Sequence, residues 1–152
     1  MKKIIPLLLL ILTFTSPLYA QKVKEISELS KIKGVTVVQI NKQLLNLIPK
    51  IDQVNGIDTN QLSGKLESIL ILNGEDKAAT QLGKEMQLIL KSLKVEPLLY
   101  ASDEGEETTM YYVEGSKKEN QFILFSQEPD EVSIIVLKGS FTPQDISTLV
   151  NK

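Results

Sequence analysis

Two short acidic segments contain the side chains of this protein that are best suited to bind a metal ion. The first has four carboxylates within five positions: Asp103, Glu104, Glu106 and Glu107. The second runs from Glu128 to Glu131. Calcium prefers carboxylate oxygens, but neither segment has the alternating ligand spacing of a calcium-binding loop. Gly105 is typical of a hairpin turn, so we interpret both segments as solvated turns and predict no metal site.

Carboxylates and serines also offer two routes to hydrolysis. A pair of carboxylates can cleave a glycosidic bond, and Ser with Lys can provide a nucleophile without His. Glycosidase clefts usually carry aromatic platforms, whereas this chain has no Trp and 5% aromatic residues. The nearest Ser–Lys neighbours lie in predicted turns or at helix ends: Ser30-Lys31, Ser92 with Lys94, and Ser116-Lys117. A carboxylate-based or Ser/Lys hydrolase acting on an envelope polymer is therefore an alternative and not the main prediction.

Missing residue types narrow the chemistry further. The chain of 152 residues has no His, Cys, Trp or Arg, and all 17 basic residues are Lys. Without His and Cys there is no Ser–His or Cys–His pair and no usual ligand set for zinc, haem or iron–sulfur clusters. Without Arg there is no planar fork that grips a carboxylate or phosphate at two points. We therefore predict that the protein is not an enzyme and holds no cofactor.

The N-terminus has the pattern of a secretory signal peptide. Met1-Lys2-Lys3 gives a positive start, Ile4 to Phe14 is an apolar run, and Leu18-Tyr19-Ala20 precedes Gln21. This order predicts cleavage after Ala20 and a single mature domain over 21–152. The apolar run is too short to span a bilayer, and no Cys follows the cleavage site. We expect an exported protein, periplasmic or secreted, without a stable membrane anchor after cleavage.

The charge balance argues against nucleic acid as a partner. The net charge is −2, and without Lys2 and Lys3 the mature chain has 15 lysines against 19 acidic residues. Nucleic-acid-binding domains carry a basic stripe and a high pI. The closest approach to such a stripe in the mature chain is Lys117-Lys118, which Glu119 follows at once. We expect a different partner, namely an envelope protein or another envelope component.

Hydrophobic periodicity and turn residues predict ten elements. The predicted helices are Val23–Ile32, a second one capped by Asn41 and ended near Pro49, a third from Glu75 or Asp76 to Leu93, and a last one opened by Thr142-Pro143. The predicted strands are Val35–Ile40, Leu66–Leu72, Val95–Ala101, Glu107–Glu114, Gln121–Gln127 and Val132–Lys138. Asp52 to Gly64 is a predicted loop. Pro97 places its strand at a sheet edge or a strand start, and the apolar Val132–Lys138 belongs near the centre.

This order predicts an α+β fold with a largely antiparallel sheet of about six strands and helices packed on one face. The last four strands are joined by short turns and so are antiparallel neighbours. The first two, each followed by a helix, could add parallel pairing at one side.

Four aromatic residues are candidates for an interaction surface. Tyr111 and Tyr112 are adjacent on one strand and must point to opposite faces, so one of them is expected to be buried. The other could join Tyr100 and Phe125 in an exposed patch. Routine packing within the sheet is the competing interpretation. An outer strand offers a further surface, because its unpaired edge can take up a partner's strand.

Three parts of the sequence together resemble a known family. They are Gly34 to Lys42 with the leucine-rich segment after it, Leu66-Glu67-Ser68-Ile69, and Val132 to Gly139 followed by Thr142-Pro143. From about Val23 to Val150 the chain resembles the domain of unknown function 4252 family, small exported proteins of Bacteroidota-type bacteria. The resemblance implies a source and a compartment, and no activity or site. Many such proteins carry a lipoprotein Cys, which this chain lacks.

The main prediction is therefore a non-enzymatic envelope protein that binds a partner through its sheet. Besides the hydrolase, a weaker alternative is a binder of a small apolar ligand held between sheet and helices. A pocket of several hundred cubic ångströms lined by Leu and Ile would favour that alternative.

Overall fold

The computed structural model describes residues 25–47, 64–116 and 119–150. They form one six-stranded sheet in which all neighbouring strands are antiparallel. In chain order the strands are β1 (Thr36–Asn41), β2 (Leu66–Glu75), β3 (Pro97–Asp103), β4 (Glu106–Val113), β5 (Asn120–Gln127) and β6 (Glu131–Gly139). Across the sheet their order is β1-β2-β6-β5-β4-β3. The predicted signal peptide (1–20) and the predicted loop, except Gly64, lie outside the described residues.

Four helical segments accompany the sheet. They are a 3-10 helix (Ile26–Lys31), α1 (Lys42–Leu47), α2 (Asp76–Leu93) and α3 (Pro143–Val150). The α+β class and the six-stranded, largely antiparallel sheet are thus confirmed. The suggested parallel pairing of the first two strands is wrong, because Thr36 lies opposite Asn73 and Asn41 opposite Ser68. The two strands therefore run in opposite directions.

The predicted central strand, β6, and the predicted edge strand, β3, are both confirmed. β6 lies between β2 and β5, and β3, which begins at Pro97, is outermost. β6 is apolar on both faces, since Ile134 packs in the cluster under α2 while Ile135 packs in the cluster on the other side. A strand buried on both faces reads as a nearly continuous apolar run, as this one does.

One face of the sheet, here called the α2 face, carries the larger core. Helix α2 buries an apolar stripe at the predicted spacing, with Leu82, Met86, Ile89 and Leu90 all buried. The stripe packs on sheet residues such as Leu72, Phe125 and Ile134, and the 3-10 helix adds Ile26 and Leu29. Burying such side chains stabilises the fold by about 1.5–3 kcal/mol each.

The opposite face, here called the second face, has a smaller core of its own. Phe141, just before α3, and Ile146, within it, pack there with Ile69, Phe122 and Leu137. The expected placement of all helices on one face is therefore wrong for α3, and also for α1, whose Leu45 packs against the same cluster. The physical reason is that the central strands are apolar on both sides, so a single helical layer would leave half of their surface in water.

Capping contacts fix where the two short helices begin. The amide of Leu44 donates to Asn41 Oδ1 at 3.1 Å, as predicted for α1. At α3 the Thr142 amide donates to Asp145 Oδ2 at 2.8 Å, and the Asp145 amide donates to Thr142 Oγ1 at 3.4 Å. This reciprocal pair is the predicted capping box.

Gly139 allows β6 to cross close to the chain that enters β2. A Cβ atom at this position would overlap the carbonyl oxygen of Lys65. The register between β2 and β6 shifts between Leu66 and Ser68, next to this crossing. The side chain of Lys65 then reaches Asp145 at 2.8 Å, which links the start of β2 to α3.

Candidate interaction surface

The outermost strand β3 presents apolar side chains to solvent. Leu98, Leu99 and Tyr100 are consecutive, and their exposed fractions are 53%, 36% and 58%. Among the described residues β3 pairs with β4 alone, so the backbone groups on its other side have no strand beside them. Natural proteins usually protect such an edge with charges, proline or a covering segment. Here Pro97 protects the beginning of the strand, and Leu98 to Ala101 carry no charge.

The charges around β3 have one sign. Between residues 95 and 116 the chain has six acidic residues and no lysine: Glu96, Asp103, Glu104, Glu106, Glu107 and Glu114. The β3–β4 turn lies beside the β5–β6 turn, because a Cβ atom on Gly105 would be 3.9 Å from Pro129. The two acidic segments of the sequence therefore meet at one end of the sheet and form one acidic corner.

The opposite edge of the sheet has the opposite charge. β1 pairs only with β2 in the described part of the chain, and its Val37 and Val38 are 40% and 45% exposed. Between residues 29 and 47 there are three lysines and no acidic residue: Lys31, Lys33 and Lys42. Lys42 forms an ion pair with Glu67 of β2 at 2.7 Å. Lys31 and Lys33 are exposed before the strand begins.

Half of the second face forms an open trough of about 570 Å³. Its floor is apolar and includes Val38, Ile71, Leu124 and Ile135, while three carboxylates stand at its rim: Glu106, Glu128 and Glu131. Helix α3 packs over the other half of this face. In the part of the chain that the structure describes, no helical residue lines this trough, and its position could not be located from the sequence.

Small polar residues separate the apolar floor from the carboxylates. Directly opposite residues on successive strands form one row across the sheet: Thr36, Asn73, Ser133, Ser126, Thr108 and Ala101. Within it, Thr108 and Ser126 hydroxyls are 3.0 Å apart, and Asn73 donates to Glu131 Oε1 at 3.0 Å. Neighbouring members of such a row are about 4.8 Å apart. The four members that line the trough, Thr36, Asn73, Ser133 and Ser126, carry hydroxyl or amide groups.

The structure separates the four predicted aromatic residues. Phe125 is buried in the α2-face core, and Tyr111 packs against that same core. Tyr112 lies on the second face and donates to the Phe141 carbonyl at 3.4 Å, so the two adjacent tyrosines do point to opposite faces. Tyr100 is the one exposed member of the set. The expected patch of Tyr100, Phe125 and one of the two tyrosines does not form, because Phe125 is part of the core, and both tyrosines are half-buried where one was expected to be buried.

The family described as domain of unknown function DUF4252 matches residues 23–149. The chain belongs to the DUF4252 family. A search of curated proteins finds no match. Since the family carries no assigned activity, the function of this DUF4252 protein has to be argued from its surface.

Groups that could support hydrolysis are engaged locally in this DUF4252 chain. The Ser30 hydroxyl donates to the Ser27 carbonyl at 2.7 Å, and Ser92 donates to the Ile89 carbonyl at 2.7 Å. Lys117, the neighbour of Ser116, lies outside the described residues. In the part of the chain that the structure describes, no three acidic side chains come close enough together to hold a metal ion. Across that same part, no helix is both long and apolar enough to cross a membrane.

Two titratable groups mark the border between α3 and the sheet. Hydrogen bonds from Lys65 and from the Thr142 amide lower the pKa of Asp145. Burial raises the pKa of Tyr112, and the charges of Glu114 and Asp145 add to this effect. Asp145 is therefore charged and Tyr112 neutral at physiological pH. Both states suit their contacts, since the carboxylate accepts from Lys65 and the hydroxyl donates to a carbonyl.

Proposed function

We propose that this DUF4252 protein is exported after cleavage following Ala20 and serves as a non-enzymatic interaction module. In this proposal the partner adds an extended segment beside β3. The observation that carries the proposal is the run of Leu98, Leu99 and Tyr100, three exposed apolar residues on an outermost strand. Strand addition uses both features at once, because the backbone edge supplies hydrogen bonds and alternate side chains supply apolar contacts.

The positions of Leu99 and Tyr100 support strand addition over docking onto a face. Leu99 is on the row of the second face and Tyr100 is on the row of the α2 face, since they lie opposite Met110 and Thr109. A partner that covered one face would bury one of the two side chains. A strand placed alongside β3 contacts both, because its own side chains also alternate between faces.

In-cell photocrosslinking tests the proposal. Cells produce the full chain with a benzophenone amino acid at position 100, and a matched control carries it at Leu88, which is 55% exposed on α2. We expect a covalent adduct from Tyr100 and little from Leu88 after irradiation. Equal adduct formation at both positions, or none at Tyr100, would refute edge binding. The intact mass of the exported protein, expected to begin at Gln21, tests the export step in the same cells.

The trough on the second face supports a second candidate function, which is binding of a small ligand with an apolar body and a positive charge. Its floor of Ile71, Leu124 and Ile135 suits the body, and Glu106 and Glu128 suit the charge. A dodecyltrimethylammonium probe should then bind, whereas dodecyl sulfate of equal chain length should not. Equal binding of the two probes in calorimetry, or no binding of either, would rule this candidate out.

A further inference from the structure

The two edges of the sheet match each other, which identifies a partner for β3. This step rests on the proposed function, since it takes strand addition at β3 as given. We infer that the strand added beside β3 is β1 of a second copy of the chain, so that copies associate head to tail. The acidic β3 edge and the lysine-bearing β1 edge each expose two or more large apolar residues.

Strand direction permits this pairing without turning the second copy over. Six strands alternate in direction across the sheet, so the first and the last, β1 and β3, run in opposite directions. A copy placed in the same orientation next to β3 therefore presents its β1 antiparallel to β3. The α2 face and the second face each continue onto the same face of the neighbouring copy.

The rows of the sheet then define a register. One row of opposite residues runs Val38, Ile71, Ile135, Leu124, Met110 and Leu99, and the adjacent row runs from Val37 to Tyr100. Continuing both rows places Leu99 opposite Val38 of the next copy and Tyr100 opposite its Val37. Aromatic and β-branched side chains in opposite positions are favourable cross-strand pairs.

Opposite charges come together at both ends of the same contact. Glu104, in the turn after β3, comes to the same end of the contact as Lys33, which precedes β1 of the next copy. At the other end Glu96, which precedes β3, comes to the same end of the contact as Lys42, which follows β1; the register shift between Pro97 and Leu99 means that no opposite residue is assigned there. The charges therefore support an antiparallel contact between these two edges, and the register itself rests on the apolar rows.

Symmetric pairings of the same edges are disfavoured. Two β3 strands would bring Glu96 of each copy toward Asp103 and Glu104 of the other, and no lysine lies between 95 and 116 to compensate. Two β1 strands would likewise bring Lys33 toward Lys42. Like charges in opposite positions destabilise strand pairs. Contact between different edges leaves one edge open at each end, so the association continues from copy to copy.

Engineered cysteines test this arrangement without background, because the chain contains no Cys. Val38→Cys and Leu99→Cys are made in separate chains, as is a second pair, Val37→Cys and Tyr100→Cys. Opposite residues of antiparallel strands have Cβ atoms about 4.5–5.5 Å apart, close to disulfide geometry. Within one chain the two edges are roughly 24 Å apart, from five strand spacings, so no internal bond can form.

Each protein is recovered after export from cells producing the full chain. A mixture of the two proteins of a pair should give a disulfide-linked dimer on mild oxidation. Each protein alone should stay at the monomer mass on a non-reducing gel. Dimers from the single proteins alone would indicate a symmetric pairing and overturn the inference. No link in either mixture, with circular dichroism of folded protein, would also overturn it. If Tyr100 still forms a photoadduct with a different protein in that case, the proposed function stands and the second copy is not the partner.

Discussion

Replacing Phe141 with alanine should remove most of what holds α3 on the second face. The side chain is fully buried, at 0% exposure, in the cluster with Ile146 and Leu137. Its backbone carbonyl accepts hydrogen bonds from Asn120 Nδ2 at 3.0 Å and from Tyr112 at 3.4 Å, and alanine would keep both. The substitution therefore isolates the contribution of the phenyl ring.

The expected loss is about 3–4 kcal/mol of unfolding free energy. Buried Phe→Ala substitutions cost about 3–5 kcal/mol, depending on how far the site collapses. α3 has eight residues and is too short to be stable by itself, so it can shift toward the vacated space and reduce the cavity. For that reason we expect the lower part of the range. With an m-value of about 2 kcal/mol/M, the urea midpoint should fall by roughly 1.5–2 M.

Urea unfolding followed by circular dichroism measures this loss on the purified protein. Phe141→Leu keeps an apolar side chain and should cost less than about 1.5 kcal/mol. Leu88→Ala removes an exposed side chain from α2 and should stay within about 0.5 kcal/mol of the wild type. A cost for Phe141→Ala of less than about 1 kcal/mol would refute the reasoning, because it would mean that α3 contributes little to the second core.

Three further predictions concern the α3 capping site, a glycine crossing and the charged edges. Asp145→Asn should destabilise the protein at neutral pH in urea unfolding. Because the pKa of Asp145 is lowered in the folded protein, its stabilisation is present above the ordinary value of about 3.8 and is lost as the folded carboxylate is protonated. The difference between variant and wild type should therefore disappear as the pH falls below about 3.8. Gly139→Ala should cost more than about 2 kcal/mol in the same assay, whereas Gly83→Ala, with ordinary contacts inside a helix, should be neutral or stabilising. Lys33→Glu and Glu104→Lys should each weaken self-association about 3- to 10-fold in sedimentation, and an equimolar mixture of the two variants should restore it; unchanged sedimentation of both would contradict the head-to-tail contact.

Local sequence signals determined most of the elements correctly. The stripe from Leu82 to Leu90 predicted α2, and Thr142 with Asp145 predicted the start of α3. These signals succeed because periodicity and capping act between residues a few positions apart. Pro97 at an outer strand was predictable for the same kind of reason, since proline cannot donate to a neighbouring strand.

The side on which α3 packs required information that is not local. The apolar residues of α3 show that it packs on the sheet, but they do not show on which face. A clue was present in β5 and β6, where Phe122 and Ile123, or Ile134 and Ile135, are adjacent and all buried. Adjacent buried residues on a strand point to opposite faces, so both faces had to be covered.

The candidate surface was predictable in part. The apolar sequence of β3 and the absence of lysine around it can be read directly from the chain. That β1 is the opposite edge could not be read, because it depends on β2 pairing with β6 and thereby on contacts between distant segments. Residue type alone indicates Tyr100, whereas the exposure of Leu98 and Leu99 depends on how the neighbouring strand and the helices cover β3, which the sequence does not show.

The small net charge of −2 includes an acidic edge and a lysine-bearing edge, and this segregation indicates whether the charges serve folding or association. The edges lie roughly 24 Å apart, while at physiological salt charges are screened over about 8 Å. The acidic edge and the lysine edge therefore interact little within one chain, and their segregation does little for folding. Their effect is felt where a second molecule makes contact. It follows that Lys33→Glu should leave the unfolding free energy of the isolated chain within about 0.5 kcal/mol of the wild type. The same substitution should weaken association. If Lys33 had a role in folding, the unfolding free energy would fall as well.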